Sequence, residues 1–325
     1  MIVVTGGAGF IGSNIVKALN LSGMANILVV DDLSQGNKVA NLTDCDIIDF
    51  VDKDEFIQDI VKGGKYEDMD VIFHQGACSD TMELDGRYMM QTNYEYSKTL
   101  LETASKHSIP FIYASSASVY GDGKEFIEEV EYEKALNVYA YSKLLFDRYV
   151  RRHRNNLECQ IVGLRYFNVY GPGETNKGRM ASVAWHFYQQ YQEQGYVNLF
   201  EGSGGYEAGE QLRDFVYIDD VVNVNMHFLS QPQISGIFNV GTGRAQSFND
   251  VACAALNALS GEQRTTAQWV KDNMIRYIPF PEQLRGKYQS YTQADLDKLM
   301  VDGEYTESFA DVDTGVSAYL DSLKG

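Results

Sequence analysis

The sequence predicts an α/β fold: a doubly wound parallel sheet with a smaller second α/β domain. Three observations predict it. Short β-branched runs alternate with longer helical stretches, the pattern of strands joined by crossover helices. The runs are nearly continuous in apolar residues, as in "IVVT" at 2–5, which fits strands covered by helices on both faces. The chain also opens on "VVTGGAGFIG" (3–12), where glycines crowd the passage from a strand into a helix.

The elements follow in order. "IVVT" leads into a helix from Gly12 to about Leu21, and "NILVVDD" (26–32) is the second strand. A helix around 53–62 precedes "DVIFHQGA" (70–77), and a helix near 88–107 precedes "PFIYASSA" (110–117). A helix starting near Tyr139 leads to "CQIVGLRYFNVYG" (159–171). Beyond Gly171 come two glycine-rich, charged loops, "GPGETNKGR" (171–179) and "EGSGGYEAGEQLRD" (201–214), long enough to suspect of function. "DFVYIDD" (214–220) and "GIFNVGTG" (236–243) read as strands returning to the sheet. The expected domains are 1–170 plus 212–244, and 171–211 plus 245–325.

The 325 residues, 44% hydrophobic and 22% charged, suit a soluble globular protein of one large or two intimate domains. No apolar run approaches the ~20 residues of a membrane helix, and "MIVVTGGAGF" carries no basic leader. Cys45, Cys78, Cys159 and Cys253 are scattered and read as reduced thiols of a cytoplasmic protein. No metal site is expected, because the five histidines lack ligand spacing. A net charge of −18 argues against nucleic acid or anionic lipid as partners. An anionic ligand would need individually placed basic residues and helix N-termini.

Gly7, Gly9 and Gly12 fit G-x-G-x-x-G in its strand–turn–helix setting, a Rossmann-type cradle with a pyrophosphate at the helix N-terminus. Asp31, followed by Asp32, ends the second strand about 20 residues on, where a ribose-reading acid belongs. A carboxylate there favours the free 2′-hydroxyl of NAD. Lys38 and Lys53, in neighbouring loops, offer charge for the 2′-phosphate of NADP instead.

In "NVYAYSKLL" (137–145), Tyr139 lies four residues before Lys143 and shares its helix face, whereas Tyr141 does not. Tyr141 is expected to pack. Alone, this spacing also fits an ordinary helix surface. After a strand ending "YASSASVYG" (113–121), it completes a Ser…Tyr-x-x-x-Lys set and resembles the extended short-chain dehydrogenase/reductase superfamily. The superfamily's G-x-x-G-x-x-G falls on Gly6, Gly9 and Gly12. The resemblance implies that Ser116 polarises the reacting oxygen, Tyr139 transfers its proton and Lys143 holds the nicotinamide ribose. A tyrosine of pKa about 10 is a poor base at neutral pH, so a nearby ammonium and the oxidised nicotinamide are expected to lower it.

A narrower resemblance spans nearly the whole chain. "YEYSKTLLE", "EYEKALNVYAYSK", "GLRYFNVYGP", "KGRMASVAWH", "RDFVYIDDV", "GIFNVGTGRAQSF" and "YQSYTQADL" resemble the ADP-L-glycero-D-manno-heptose 6-epimerases. These invert C6″ of an ADP-heptose for the lipopolysaccharide core through a 6″-keto intermediate, using tightly held NADP. The resemblance shifts the expected cofactor to NADP, with Lys38 and Lys53 on its phosphate. It places Phe10, Ile11, Gln75, Gly76, Ala77, Cys78, Ser79, Asn93 and Val169 on the cofactor. Asn168, Arg179, His186, Phe200, Glu201, Gly202, Ser203, Arg213 and Tyr288, with Ser116, are placed on the sugar nucleotide. Lys177 matches a second acid/base group. A homo-oligomer, a pentamer in that family, is also implied. The alternatives are another nucleotide-sugar epimerase, of the UDP-hexose 4-epimerase type, and a non-catalytic NADP-binding regulator. A 4,6-dehydratase fits less well, because it would carry Asp-Glu in place of Ala117-Ser118.

Overall fold

The structure, a computed structural model, describes residues 1–281 and 289–324. Its strands in chain order are β1 (Ile2–Thr5), β2 (Ile27–Asp31), β3 (Asp49–Asp52), β4 (Val71–His74), β5 (Phe111–Ser116), β6 (Ile161–Tyr166), β7 (Asn168–Tyr170), β8 (Val197–Phe200), β9 (Leu212–Tyr217), β10 (Gly236–Val240), β11 (Ala245–Ser247) and β12 (Ile275–Ile278). Seven of them form one sheet in the order β10-β6-β5-β4-β1-β2-β3, with every pairing parallel.

Side chains alternate across a strand, and both faces of this sheet are covered. Val4 and Val29 point into one apolar cluster with Ile15, Val16 and Leu19 of α1 (Phe10–Leu21). Val3, Leu28 and Val30 point into another, with Phe56 and Ile60 of α2 (Lys53–Lys62). Two-sided burial is why these strands carry no polar alternation. β3 escapes the sequence reading because it is an edge strand with only Val51 buried.

The expected helix near 88–107 is three pieces. α3 (Gly86–Met89) passes through a π-helical turn at Met90–Glu95 into α4 (Tyr96–Lys106). Such turns often accompany functional sites, and this one carries Asn93. α5 (Val138–His153) is capped by the Asn137 side chain, which accepts from Ala140 N–H at 2.8 Å. α6 (Val183–Gln194) follows.

One returning strand behaves as read and one does not. β10 joins the main sheet beside β6. β9 instead lies in a separate three-stranded sheet, parallel to β7 and antiparallel to β11. The edge of β6 is already taken by β10, so β9 pairs with the strand that continues from β6. Asp214 fixes it there: its buried carboxylate accepts from Thr242 N–H (2.7 Å), Thr242 Oγ1 (2.8 Å), Gly243 N–H (3.0 Å) and Ala294 N–H (2.9 Å). α7 (Ile218–Ser230) then packs on α1. α8 (Phe248–Ser260), α9 (Thr266–Lys271), α10 (Asp297–Val301) and α11 (Val312–Ser322) complete the smaller part with the parallel pair β8–β12. No described helix is long and apolar enough to cross a membrane.

Candidate active site

The sheet order reverses at β1, whose neighbours β2 and β4 lead to opposite edges. Loops leaving the strand ends part there and open a crevice. At its base the loops after β1 and β4 touch: a Cβ on Gly6 (φ +66°) would lie 2.6 Å from Gly76 N. A Cβ on Gly12 would lie 2.2 Å from Gly6 O, so glycine is needed for the helix to start against the turn. His74 braces the base through Thr5 Oγ1 (2.6 Å) and Ser97 Oγ (2.7 Å). Burial lowers its pKa to about 3 and keeps it neutral.

Over this base lies a cavity of about 720 Å³, ample for a large cofactor. Gly6, Gly9, Phe10, Ile11 and Gly12 line one end, with Asp31, Asp32, Lys38 and Lys53 beyond them. The first turn of α1 has no side-chain cap and no acidic residue, whereas α2 and α5 are capped by side chains. Its free N–H groups and positive dipole end face the cavity, a ready site for phosphate.

Asp31 is already engaged. Its Oδ2 accepts from Ala8 N–H at 2.9 Å, and its Oδ1 takes Asp32 N–H (2.6 Å) and Lys38 Nζ (3.0 Å). Lys53 Nζ lies 3.6 Å from Asp32 and 3.0 Å from Asp54. Hydrogen bonding by Ser34, in the loop after β2, holds the Asp32 carboxyl below the ordinary range.

At the other end stand Ser116, Tyr139 and Lys143. Lys143 Nζ donates to Ala114 O at 2.8 Å, and burial lowers its pKa to about 8. Ser116, at the end of β5, accepts from Ser118 Oγ at 2.9 Å. Tyr139 lines the cavity, while Tyr141 is 47% exposed. The helical phase therefore holds, but Tyr141 is a surface residue, not the expected packing one. Among the chain's own groups, burial raises the Tyr139 pKa and the Ser116 hydroxyl opposes that only in part; the lowering expected from the oxidised nicotinamide's charge would add to that opposition when the cofactor is bound. The Lys143 ammonium is turned to the Ala114 carbonyl and does not offset the burial.

Behind α5 sits a charge network that the sequence reading missed. Asp147, one turn beyond Lys143, accepts from Tyr113 OH, Ser115 Oγ and Arg165 Nε, each at 2.9 Å. Arg165 is fully buried and also binds Glu133, which Arg151 shares at 2.5 Å. This network ties α5 to β5 and β6. Its sequence signal was a charged residue inside an apolar run, true of Asp147 and Arg165 but not of Glu133 in the charged stretch 128–134.

Lys177 reaches the same cavity from the strap 175–180, with Nζ 5.2 Å from the Phe10 ring centre. Burial depresses its pKa, against the pull of Glu174. Buried Glu174 anchors the strap by accepting from Gly171 N–H (3.1 Å) and from Ser182 Oγ (2.7 Å). Arg179 spans the mouth to Asp80, Nη2 to Oδ2 2.6 Å, and Asn176 reaches Asn37 O at 3.0 Å.

Gln75, Gly76, Ala77, Cys78, Ser79 and Val169, the residues expected on a cofactor, line the cavity. Asn93 stands behind the wall: its amide exchanges hydrogen bonds with the Cys78 backbone at 2.8 and 2.9 Å. Asn168, His186, Phe200, Glu201, Gly202, Ser203 and Arg213 are not among the described residues lining this cavity. They belong to β7, α6, β8 with the loop after it, and β9. Tyr288 lies outside the described residues. Asp80, Asn176, Tyr166 and Phe167 line the cavity unforeseen, since only the folded loops bring them there.

The doubly wound sheet, uncapped glycine turn and Ser–Tyr–Lys set define a nucleotide-binding enzyme of the short-chain dehydrogenase/reductase type. The chain matches the NAD dependent epimerase/dehydratase family over residues 2–241 and belongs to it. It is similar over 99% of its length to the ADP-L-glycero-D-manno-heptose-6-epimerase of Helicobacter pylori, at 32% identity and TM-score 0.80, covering 96% of that chain. The UDP-glucose 4-epimerase of Thermotoga maritima matches at 26% identity and TM-score 0.77, with 99% of this chain and 98% of that one covered. The UDP-glucose 4-epimerase of Thermus thermophilus, in complex with NAD, matches at 25% and 0.77, covering 100% and 99%.

Proposed function

We propose that the protein inverts C6″ of an ADP-glycero-manno-heptose by transient oxidation to a 6″-ketone, with NADP as its cofactor, as a step in making the lipopolysaccharide core. The observation that carries this reading is the pair Tyr139 and Lys177. They are two desolvated acid/base groups on separate elements that face one cavity. C6″ lies outside the sugar ring, so rotation about C5″–C6″ can present either face of the ketone. The reacting oxygen then sits on different sides in the two halves, and each half needs its own proton carrier.

When bound, the nicotinamide supplies hydride acceptance and return. The chain's residues do the rest. Ser116 donates to the reacting oxygen, Tyr139 exchanges its proton in one half and Lys177 in the other. Lys177 is suited to this because burial brings its ammonium pKa down. Lys143, one helical turn from Tyr139, orients the ribose.

Three donors fill three of the about four acceptor positions of the Asp31 carboxylate, and NADP is favoured over NAD because of the two lysines beside it. Lys38 and Lys53 flank the same corner and offset Asp31 and Asp32. The part built on the main sheet would hold the cofactor, and the part around β8 and β9, with Arg213, the sugar nucleotide.

The test is incubation of the purified protein with each ADP-heptose epimer and with UDP-glucose, followed by NMR at the inverted carbon. The reading requires interconversion of the heptose epimers. Turnover of UDP-glucose without the heptoses would make the protein a 4-epimerase.

A further inference from the structure

A second cavity, of about 340 Å³, opens at the other ends of the strands, between the last turn of α5 and the starts of β6 and β10. Three cations line it, Arg151, Arg154 and Lys298, with apolar wall from Leu157, Ile161 and Ile237. No acidic residue is among the described lining residues. In a chain of net charge −18, that concentration of positive charge stands out.

Basic residues in the last turn of α5 also complement the helix dipole, which accounts for Arg151 and Arg154 by themselves. It does not account for Lys298, which comes from α10 and reaches the cavity from another side. Arg151 is held rigid by Glu133 Oε1 (2.5 Å) and Glu128 O (3.0 Å), and Arg154 donates to Ser235 O at 3.2 Å. Lys298 Nζ sits 5.7 Å from the Phe238 ring centre and has no carboxylate within 4.0 Å among the described residues. Burial and the guanidinium groups of Arg151 and Arg165 depress its pKa, while Glu128 and Asp302 pull the other way. An anion in the cavity would give the Lys298 ammonium a direct partner that Glu128, beyond ion-pair distance, does not supply.

We propose that this cavity is a binding site for a compact phosphate-monoester dianion, gripped by Arg154 and Lys298 in the field of Arg151. The volume sits at the low end for small-molecule pockets. It suits a phosphorylated sugar rather than a dinucleotide, with the apolar wall taking the organic part. Charge-assisted hydrogen bonds from two or three cations would provide the grip.

The experiment titrates the NADP-saturated protein, so that the glycine loop is already filled, with inorganic phosphate and separately with glucose 6-phosphate. Calorimetry at constant ionic strength, with chloride as the control, reads the affinity. The expected result is saturable binding that weakens at least tenfold in the Arg154→Met/Lys298→Met variant, with NADP affinity unchanged. If that variant does not fold, Arg154→Glu on the exposed rim should weaken binding by a similar factor. Tighter binding of glucose 6-phosphate than of phosphate would show that the apolar wall is used; equal binding would assign the site to the free anion. No heat beyond the chloride control, or undiminished binding in the variants, would overturn the site.

Discussion

Replacing Asp147 by asparagine tests how charge behind α5 governs the site in front of it. The Asp147 carboxylate is fully buried, receives three hydrogen bonds and pairs with fully buried Arg165. Removing one member of such a pair costs about 3–5 kcal/mol, because the remaining charge stays buried. Arg165 keeps Glu133, so the lower figure, about 3 kcal/mol, applies. For a chain of 325 residues that is a fall in Tm of roughly 4–5 °C.

Asp147 also supports the charged form of Lys143, whose pKa burial has lowered to about 8. A lysine depressed in the folded state costs stability below that pKa, and the cost fades as pH rises through it towards the unfolded value. Without Asp147 the folded pKa falls further. The stability deficit should then be larger at about pH 6–7 than at about pH 10, and an alkaline limb of activity set by Lys143 should move to lower pH. Urea unfolding at several pH values, with pH–rate profiles on the accepted sugar nucleotide, measures both. A loss below about 1 kcal/mol at neutral pH, or an alkaline limb that stays in place, would refute the reasoning.

Three further outcomes are expected. Tyr139→Phe should lower kcat by at least about 100-fold with cofactor still bound, as loss of a general acid/base predicts, while Tyr141→Phe, at an exposed position, should keep most activity in the same assay. Lys177→Met should reduce kcat for epimerisation with little change in KM. A rise in KM alone would make Lys177 a binding residue. The Lys38→Met/Lys53→Met variant should bind NADP about tenfold more weakly, consistent with two partly exposed ion contacts, with NAD affinity nearly unchanged in calorimetry.

The sequence by itself determined what short-range physics controls. Strand runs, the glycine turn and the Tyr139–Lys143 phase follow from backbone sterics and helical period, so each is legible within a dozen residues. Tertiary structure decided what depends on which strands become neighbours. Lys177 and Tyr139 line one cavity only because the loop after β7 folds back over the crevice. Asp147, Arg165 and Glu133 find one another only because α5 packs across β5 and β6, and the burial that raises the Tyr139 pKa is likewise set by the folded surroundings. β9 left the main sheet because β10 holds the edge beside β6. Desolvation and ion pairing are properties of the assembled surroundings, and residues far apart in the chain supply them.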